Sequence, residues 1–299
     1  MGMIAAFPHF CVHAFQGYNP VVDHHVQPAY RTERMTRRVP PSLTALGRKS
    51  LPDTLDIRNS TFHLRQVFKN DFFAVTAMYE SPAERVILKV QRQAPFLLLP
   101  MRWAGRLLAN REWAALSRLQ GLPGIPRLIE QRDGTAIVRE FIEGHAMRSG
   151  ERVPDGFHAD LRSLIRAVHD RGMAYVDLEK CENVLVGVDG RPYLVDFQIA
   201  WSWSMRRGGD LLPLRALRGW LQRGDLYHLR KLQRRTRPDQ LTPEELAMTY
   251  RKPWFIRWHR TLTYPFTALR RLVLDRIDPR RGKGERGRVN PDNLIAGAE

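Results

Sequence analysis

The stretch Leu164 to Ala200, LIRAVHDRGMAYVDLEKCENVLVGVDGRPYLVDFQIA, constrains the fold of this chain more than any other. Leu161, Leu164, Ile165 and Val168 recur at helical spacing, and Asp170-Arg171-Gly172 should end that helix, because Gly accepts the left-handed conformation at a C-terminus. Two short apolar runs follow, Asn183 to Val188 and Tyr193 to Phe197, joined by Asp189-Gly190-Arg191-Pro192. Asp-Gly suits a tight turn, so this segment is expected to be a β-hairpin. Three polar residues are thereby fixed on short connections: Asp177 and Asn183 before the hairpin, and Asp196 at its end.

Carboxylate and amide oxygens are hard ligands suited to Mg²⁺, and a further carboxylate can orient an attacking hydroxyl. Residue types and spacing together resemble the core of the protein-kinase superfamily, with Asn183 thirteen residues before Asp196 and His169 eight before Asp177, where many kinases have the His of an L-H-x-x-G run. The resemblance implies that Asp177 receives the hydroxyl proton and that Asn183 and Asp196 hold Mg²⁺. The chain departs from the pattern at Tyr175-Val176-Asp177, in place of H-R-D, and at Asp196-Phe197-Gln198, in place of D-F-G. The Asp177-to-Asn183 loop is one residue longer than usual, no Arg precedes Asp177, and no A-P-E follows. The chain is thus more similar to atypical kinases: those of the RIO type and, more closely, bacterial lipopolysaccharide kinases of the Kdo type.

The fold implied is α+β and two-lobed, a small antiparallel-sheet lobe with a larger, mostly helical one. Phe62 to Val67, Phe72 to Tyr79 and Arg85 to Val90 read as strands, with turns at Lys69-Asn70-Asp71 and Ser81-Pro82-Ala83. The first turn lacks the Gly-rich phosphate loop; Lys69 and exposed backbone N–H groups there are its candidate phosphate contacts. Lys89 lies within Val86-Ile87-Leu88-Lys89-Val90, and an ammonium in an apolar strand needs a partner. Glu112 is the candidate, expected to open a helix through Trp113, Leu116 and Leu119, with Pro95 to Leu108 as an apolar and basic insertion before it. In the resemblance Lys89 pairs the nucleotide phosphates and Glu112 orients Lys89. Ile125 to Glu130 and Thr135 to Phe141 complete the small lobe, and Glu140 to Gly144 resembles the hinge that binds adenine through backbone groups, here of Glu140 and Ile142.

The expected division is a loosely attached segment over 1–41, a small lobe over 42–143, a large lobe over 144–278 and a basic tail over 279–299. In the first segment His9, His13, His24 and His25 lack the spacing and carboxylates of a metal site, and Met35 is an alternative start. The chain carries 48 Lys and Arg against 31 Asp and Glu, a net charge of +17. Residues 203–240 and 251–290 contribute +16 of it. Such charge favours anionic partners, but no motif that reads DNA or RNA is present. Two cysteines, Cys11 and Cys181, are too few for a disulfide framework, no signal peptide is apparent, and a cytoplasmic protein is expected, with peripheral contact at an anionic membrane as one option.

Asp225, ahead of Leu226, Leu229 and Leu232, is read from the pattern as a helix N-cap, while the resemblance would make it a brace for the catalytic loop. Thr242, followed by Pro243, is expected to cap another helix. Trp254, Phe255, Trp258, Leu262, Phe266 and Leu269 recur among arginines, suiting either burial on the large lobe or contact with an anionic lipid surface. The function expected is ATP- and Mg²⁺-dependent phosphoryl transfer to a hydroxyl of a lipopolysaccharide sugar, another small molecule or a protein. The alternative is a pseudokinase, a nucleotide-binding or scaffolding module without turnover.

Overall fold

The computed structural model describes residues 41–96, 99–202 and 212–251. All belong to one unit, Val39–Glu299. The expectations for the N-terminal segment, the aromatic and basic run from Trp254 and the tail lie outside the described residues.

The small lobe is a six-stranded antiparallel sheet of β1 (Thr54–Ile57), β2 (Ser60–Asn70), β3 (Ala74–Glu80), β4 (Arg85–Gln91), β5 (Leu128–Arg132) and β6 (Ala136–Glu140), in the order β1-β2-β3-β4-β6-β5. β1 escaped the sequence reading because four residues are too few to show alternation. Val86, Leu88 and Val90 put one face of β4 into a core with Phe62, Val75, Tyr79 and Val138. The alternation of a strand sends Ile87, Lys89 and Gln91 to the other face.

That face is covered by α1 (Arg102–Leu119). The helix begins ten residues earlier than expected from Glu112, so much of the supposed insertion is its first two turns. Gly105, Ala109, Glu112, Leu116 and Leu119 form its buried stripe, spaced four, three, four and three apart. The stripe starts small because the helix crosses closely: a Cβ on Gly105 would stand 2.0 Å from the Arg92 carbonyl oxygen.

After β6 the chain passes through 141–143 into β7 (Gly144–Ala146), which pairs with the expected hairpin of β9 (Val184–Gly187) and β10 (Pro192–Leu194) in the order β10-β9-β7. β7 passes so near β9 that a Cβ on Gly144, at φ +151°, would stand 2.2 Å from the Val186 carbonyl oxygen. Helix α2 (Phe157–Asp170) ends with Gly172 at φ +69°, its N–H donating to the His169 carbonyl. The short strands β8 (Met173–Ala174) and β11 (Trp201–Ser202) pair with each other.

Helix α3 (Leu212–Thr236) and helix α4 (Pro243–Tyr250) complete the larger lobe. Thr242 closes a capping box with Glu245 at the start of α4. Asp225 is not a cap: α3 runs through Gly219 and Gly224, and Asp225 lies buried in its interior. The lower core joins Leu161, Ile165 and Val168 of α2, Leu229 and Leu232 of α3, and Leu116 and Leu119 of α1, so the helix carrying Glu112 is packed against the larger lobe. The result is the two-lobed α+β architecture that the sequence implied, a small antiparallel-sheet lobe with a larger, mostly helical one. No helix among the described residues is long and apolar enough to cross a membrane.

Candidate active site

Lys89 joins the lobes. Its ammonium donates to Glu112 Oε1 and to Asp196 Oδ1, both at 3.0 Å. Glu112 is 1% exposed and Lys89 is buried, so neither charge could remain there alone without a cost of several kcal/mol. Burial pushes the Glu112 carboxyl up, and Lys89 opposes that shift. Burial also acts to raise Asp196, but Lys89, Lys180 and Lys69 outweigh it and hold this carboxyl below its ordinary value. Asp196 is thus favoured as an anion, bonded to Lys89 with Lys180 and Lys69 near enough to act on it, and its φ of +65° is unusual for a residue other than Gly.

The loop before the hairpin presents Asp177 and Asn183. The Asp177 carboxylate is 2.7 Å from Lys180 Nζ, and Asn183 Nδ2 donates to the Asp177 carbonyl at 3.0 Å. With its NH₂ end so engaged, the Asn183 amide offers its oxygen to any cation beside Asp196. No group of three or more His, Cys, Asp or Glu side chains able to hold a metal occurs among the described residues. A cation here would rest on two protein oxygens and on substrate phosphates, a donor set that fits Mg²⁺.

This loop is braced from below. Asp225 accepts from Tyr175 N at 2.8 Å and Val176 N at 2.7 Å, and its Oδ2 lies 2.9 Å from His169 Nε2. Val176 needs that hold, because its φ is +71° and a β-branched residue rarely occupies the left-handed region. Tyr175, standing where the kinase pattern has His, packs edge-on against Phe197 and donates its hydroxyl to the Val195 carbonyl.

The remaining candidates divide. At 141–143 the Phe141 N–H donates to the Arg85 carbonyl and the Glu143 carbonyl accepts from Val188 N, while the Ile142 N–H between them has no partner among the described residues. The Glu140 carboxylate turns away to accept from Arg127 N, and its carbonyl accepts from Arg139 Nη1 at 3.2 Å. Lys69, at the end of β2, pairs with Asp71 at 3.1 Å yet lies near enough to influence Asp196. Three N–H groups of this turn are already engaged: Asp71 Oδ1 accepts from Phe73 N and Ala74 N, and the Asp71 N–H donates to the Ala74 carbonyl. A carboxylate, not a ligand, organises this turn.

Four polar side chains of the site were not singled out from the sequence. Lys180 beside Asp177 was hidden by the longer loop. Arg139 is buried on the same face of the sheet as Lys89, and burial pushes its guanidinium down. Gln91 and Gln198 join through their amides at 3.0 Å. A neutral amide pair, Gln91 buried and Gln198 half-buried, leaves no mark on charge or periodicity. A cavity of about 330 Å³, lined by Arg223, Leu226, Tyr227, Arg230, Met248, Thr249 and Arg251, is formed by none of these site residues.

No protein-family model matches the chain. A curated protein of Encephalitozoon cuniculi (strain GB-M1), described as a probable casein kinase I homolog, is 26% identical over 161 residues, covering 50% of this chain and 48% of that protein. Among solved structures, the Rio2 kinase of Chaetomium thermophilum in an ADP/Mg²⁺-phosphoaspartate complex is similar at 17% identity and a TM-score of 0.45, covering 62% of this chain and 61% of that one. A second Rio2 kinase structure from the same organism is similar at 18% identity and a TM-score of 0.44, covering 62% and 63%. The chain spans about half the length of the curated relative and less than two thirds of either Rio2 chain.

Proposed function

We propose that this chain is an atypical kinase that transfers the γ-phosphoryl group of ATP to a hydroxyl, with Mg²⁺ as cofactor. The observation that carries the reading is Lys89 held between Glu112 and Asp196 at 3.0 Å, above a loop that presents Asp177 and Asn183. Phosphoryl transfer asks a protein mainly for positioning and for charge against the phosphates, and this cluster supplies both. The resemblance in the catalytic stretch and the kinase description of the E. cuniculi relative support the same reading.

In this reading Lys89, oriented by Glu112, and Lys180 meet phosphate oxygens, with Lys69 at the rim. The Ile142 N–H and the Glu140 carbonyl face the nucleobase. Asn183 and Asp196 would hold Mg²⁺, which when bound neutralises charge on the phosphates. Asp177 orients the acceptor hydroxyl and takes its proton as the new oxygen–phosphorus bond forms and the bond to the departing ADP oxygen breaks. The excess of Arg favours an acceptor that is itself anionic, such as a phosphorylated glycan, or one carried on an anionic surface.

Transfer of label from γ-labelled ATP onto separated lipid, glycan and protein fractions tests the reading and finds the acceptor class. Mg²⁺-dependent labelling of one fraction by the wild-type protein, lost in Asp196→Ala, is expected. Labelling that persists at the wild-type level in Asp196→Ala would remove Asp196 from the site. Nucleotide binding with no transfer to any fraction would leave a binding module in place of an enzyme.

A further inference from the structure

Lys89 and Gln91 stand two residues apart on one face of β4, and both donate to the Glu112 carboxylate, Lys89 Nζ at 3.0 Å from Oε1 and Gln91 Nε2 at 3.0 Å from Oε2. Asp196 and Gln198 also stand two residues apart, after the hairpin, and each meets one of those strand residues. Lys89 Nζ donates to Asp196 Oδ1, and Gln198 Nε2 donates to Gln91 Oε1, again at 3.0 Å. Five side chains thus form a chain of contacts across the lobes, which the backbone from Asp196 to Gln198 closes into a loop. From α1, Arg111 adds an outer hold on the same segment, donating to the Gln198 carbonyl at 3.3 Å and the Ala200 carbonyl at 3.2 Å.

Gln91 is the centre of this arrangement. It is fully buried, so both ends of its amide need partners. The NH₂ end is committed to Glu112, which leaves the oxygen asking for a donor, and Gln198 provides one. Gly or Ala at 198 would leave that oxygen bare and would loosen the backbone next to Asp196, whose left-handed φ has to be held from outside. The kinase pattern has Gly at this position, and no Arg precedes Asp177 to receive a phosphorylated loop.

We infer that Gln91 and Gln198 form an amide latch, with Arg111 as its outer hold, that positions Asp196 to receive Mg²⁺. Both glutamines are positioning residues: they act through Asp196 and Glu112. The inference rests on the kinase reading for its Mg²⁺ readout, but not for its structural one.

The test uses the full chain and the variants Gln198→Ala, Gln198→Met, Gln91→Met and the Gln91→Met/Gln198→Met double. Gln198→Met keeps the bulk if Gln198→Ala fails to fold. Hydrogen exchange of the peptide spanning Val195 to Ala200 is measured without ligand, and Mg²⁺ is titrated against the binding of a fluorescent ATP analogue. Each single variant is expected to exchange faster in that peptide and to need roughly tenfold more Mg²⁺ for half-maximal binding, as for the loss of one hydrogen bond to a buried group. The double variant should be no worse than the worse single, because it removes both ends of one contact. Wild-type exchange in the single variants overturns the latch. Faster exchange with an unchanged Mg²⁺ midpoint overturns the positioning role. A wild-type protein that binds no Mg²⁺-nucleotide refutes the kinase reading, while the exchange arm still decides the latch.

Discussion

The two sides of the cleft are built differently. The inner wall, made by β4, α1 and the loop and hairpin from Asp177 to Asp196, is bonded at nearly every polar group, and Asp225 braces it from beneath. The outer lip, the turn between β2 and β3, is half-exposed: Asp71 holds it from within, Arg92, just after β4, holds the Phe72 and Phe73 carbonyls, and Phe68 and Phe73 stay partly exposed. In the proposed reaction, residues that must sit within a few tenths of an ångström of reacting atoms belong on the wall. There the lip would have only to cover what the wall holds, a task that tolerates a sequence unlike the Gly-rich loop.

The wall should therefore be intolerant and the lip forgiving, and the largest break is expected at Asp196. Asp196→Ala removes the proposed metal donor and the second partner of Lys89, and should lower Mg²⁺-dependent transfer by roughly a thousandfold or more. Unfolding in denaturant should stay cooperative, since Glu112 still pairs with Lys89. Next is Asp225→Ala. It strips the acceptor from Tyr175 N and Val176 N and leaves the left-handed Val176 unsupported, so a loss of about 3 kcal/mol in urea-unfolding stability is expected. An Asp225→Ala protein as stable as wild type would mean that the loop holds itself and that the brace is incidental.

What the sequence disclosed of this contrast follows from how loudly each residue violates a local rule. Lys89 was legible because an ammonium inside an apolar strand demands a partner, and the hairpin because Asp-Gly separates two apolar runs. The start of α1 was not, because Met101 supplies no side-chain cap and Arg102 to Leu108 mixes basic and apolar residues. The pattern misread Asp225 as a cap, where the resemblance had it as the brace it is, because Gly219 and Gly224 imitate a boundary: each costs about 1 kcal/mol in a helix, and here tertiary packing absorbs that cost. Gln91 and Gln198 stayed silent because an amide violates nothing until its burial is known. The site was thus read at Lys89 and at the hairpin, and left unread both at the neutral Gln91 and Gln198 and at the charged Lys180 and Arg139.

The support beneath the wall can also be tested by pH. His158 of α2 lies 2.7 Å from Thr236 Oγ1 of α3, whose own hydroxyl donates to the Leu232 carbonyl, so the neutral ring donates through Nε2. Burial, with Arg237 and Arg162 nearby, pushes this imidazole down to about 4 from 6.5. Between those values the unfolded chain binds the proton and the folded one does not. Stability from this group is thus complete above about pH 6.5 and fades as pH falls toward 4, by roughly 2 to 3 kcal/mol in all. Urea midpoints from pH 7 to 4 should show that loss, and His158→Gln should flatten the part of the slope between pH 6.5 and 4.

The smallest effect is expected at the lip. Asp71→Ala removes the acceptor that Phe73 N and Ala74 N share and the partner of Lys69, all in a half-exposed turn where water replaces the lost contacts. A stability loss below about 1 kcal/mol is expected, the scale of an exposed capping contact. Its effect on nucleotide affinity is the sharper measurement, because two consequences pull the same way. Removing a carboxylate from the rim lessens repulsion of phosphate, and the freed N–H groups with an unpaired Lys69 form a better anion site. Affinity for the Mg²⁺-nucleotide should rise, by less than about tenfold, while transfer from a saturated site changes little. Calorimetric titration of wild type and Asp71→Ala at one salt concentration checks this. A collapse of transfer in Asp71→Ala comparable to that in Asp196→Ala would erase the distinction between wall and lip, and would make the turn part of the catalytic apparatus.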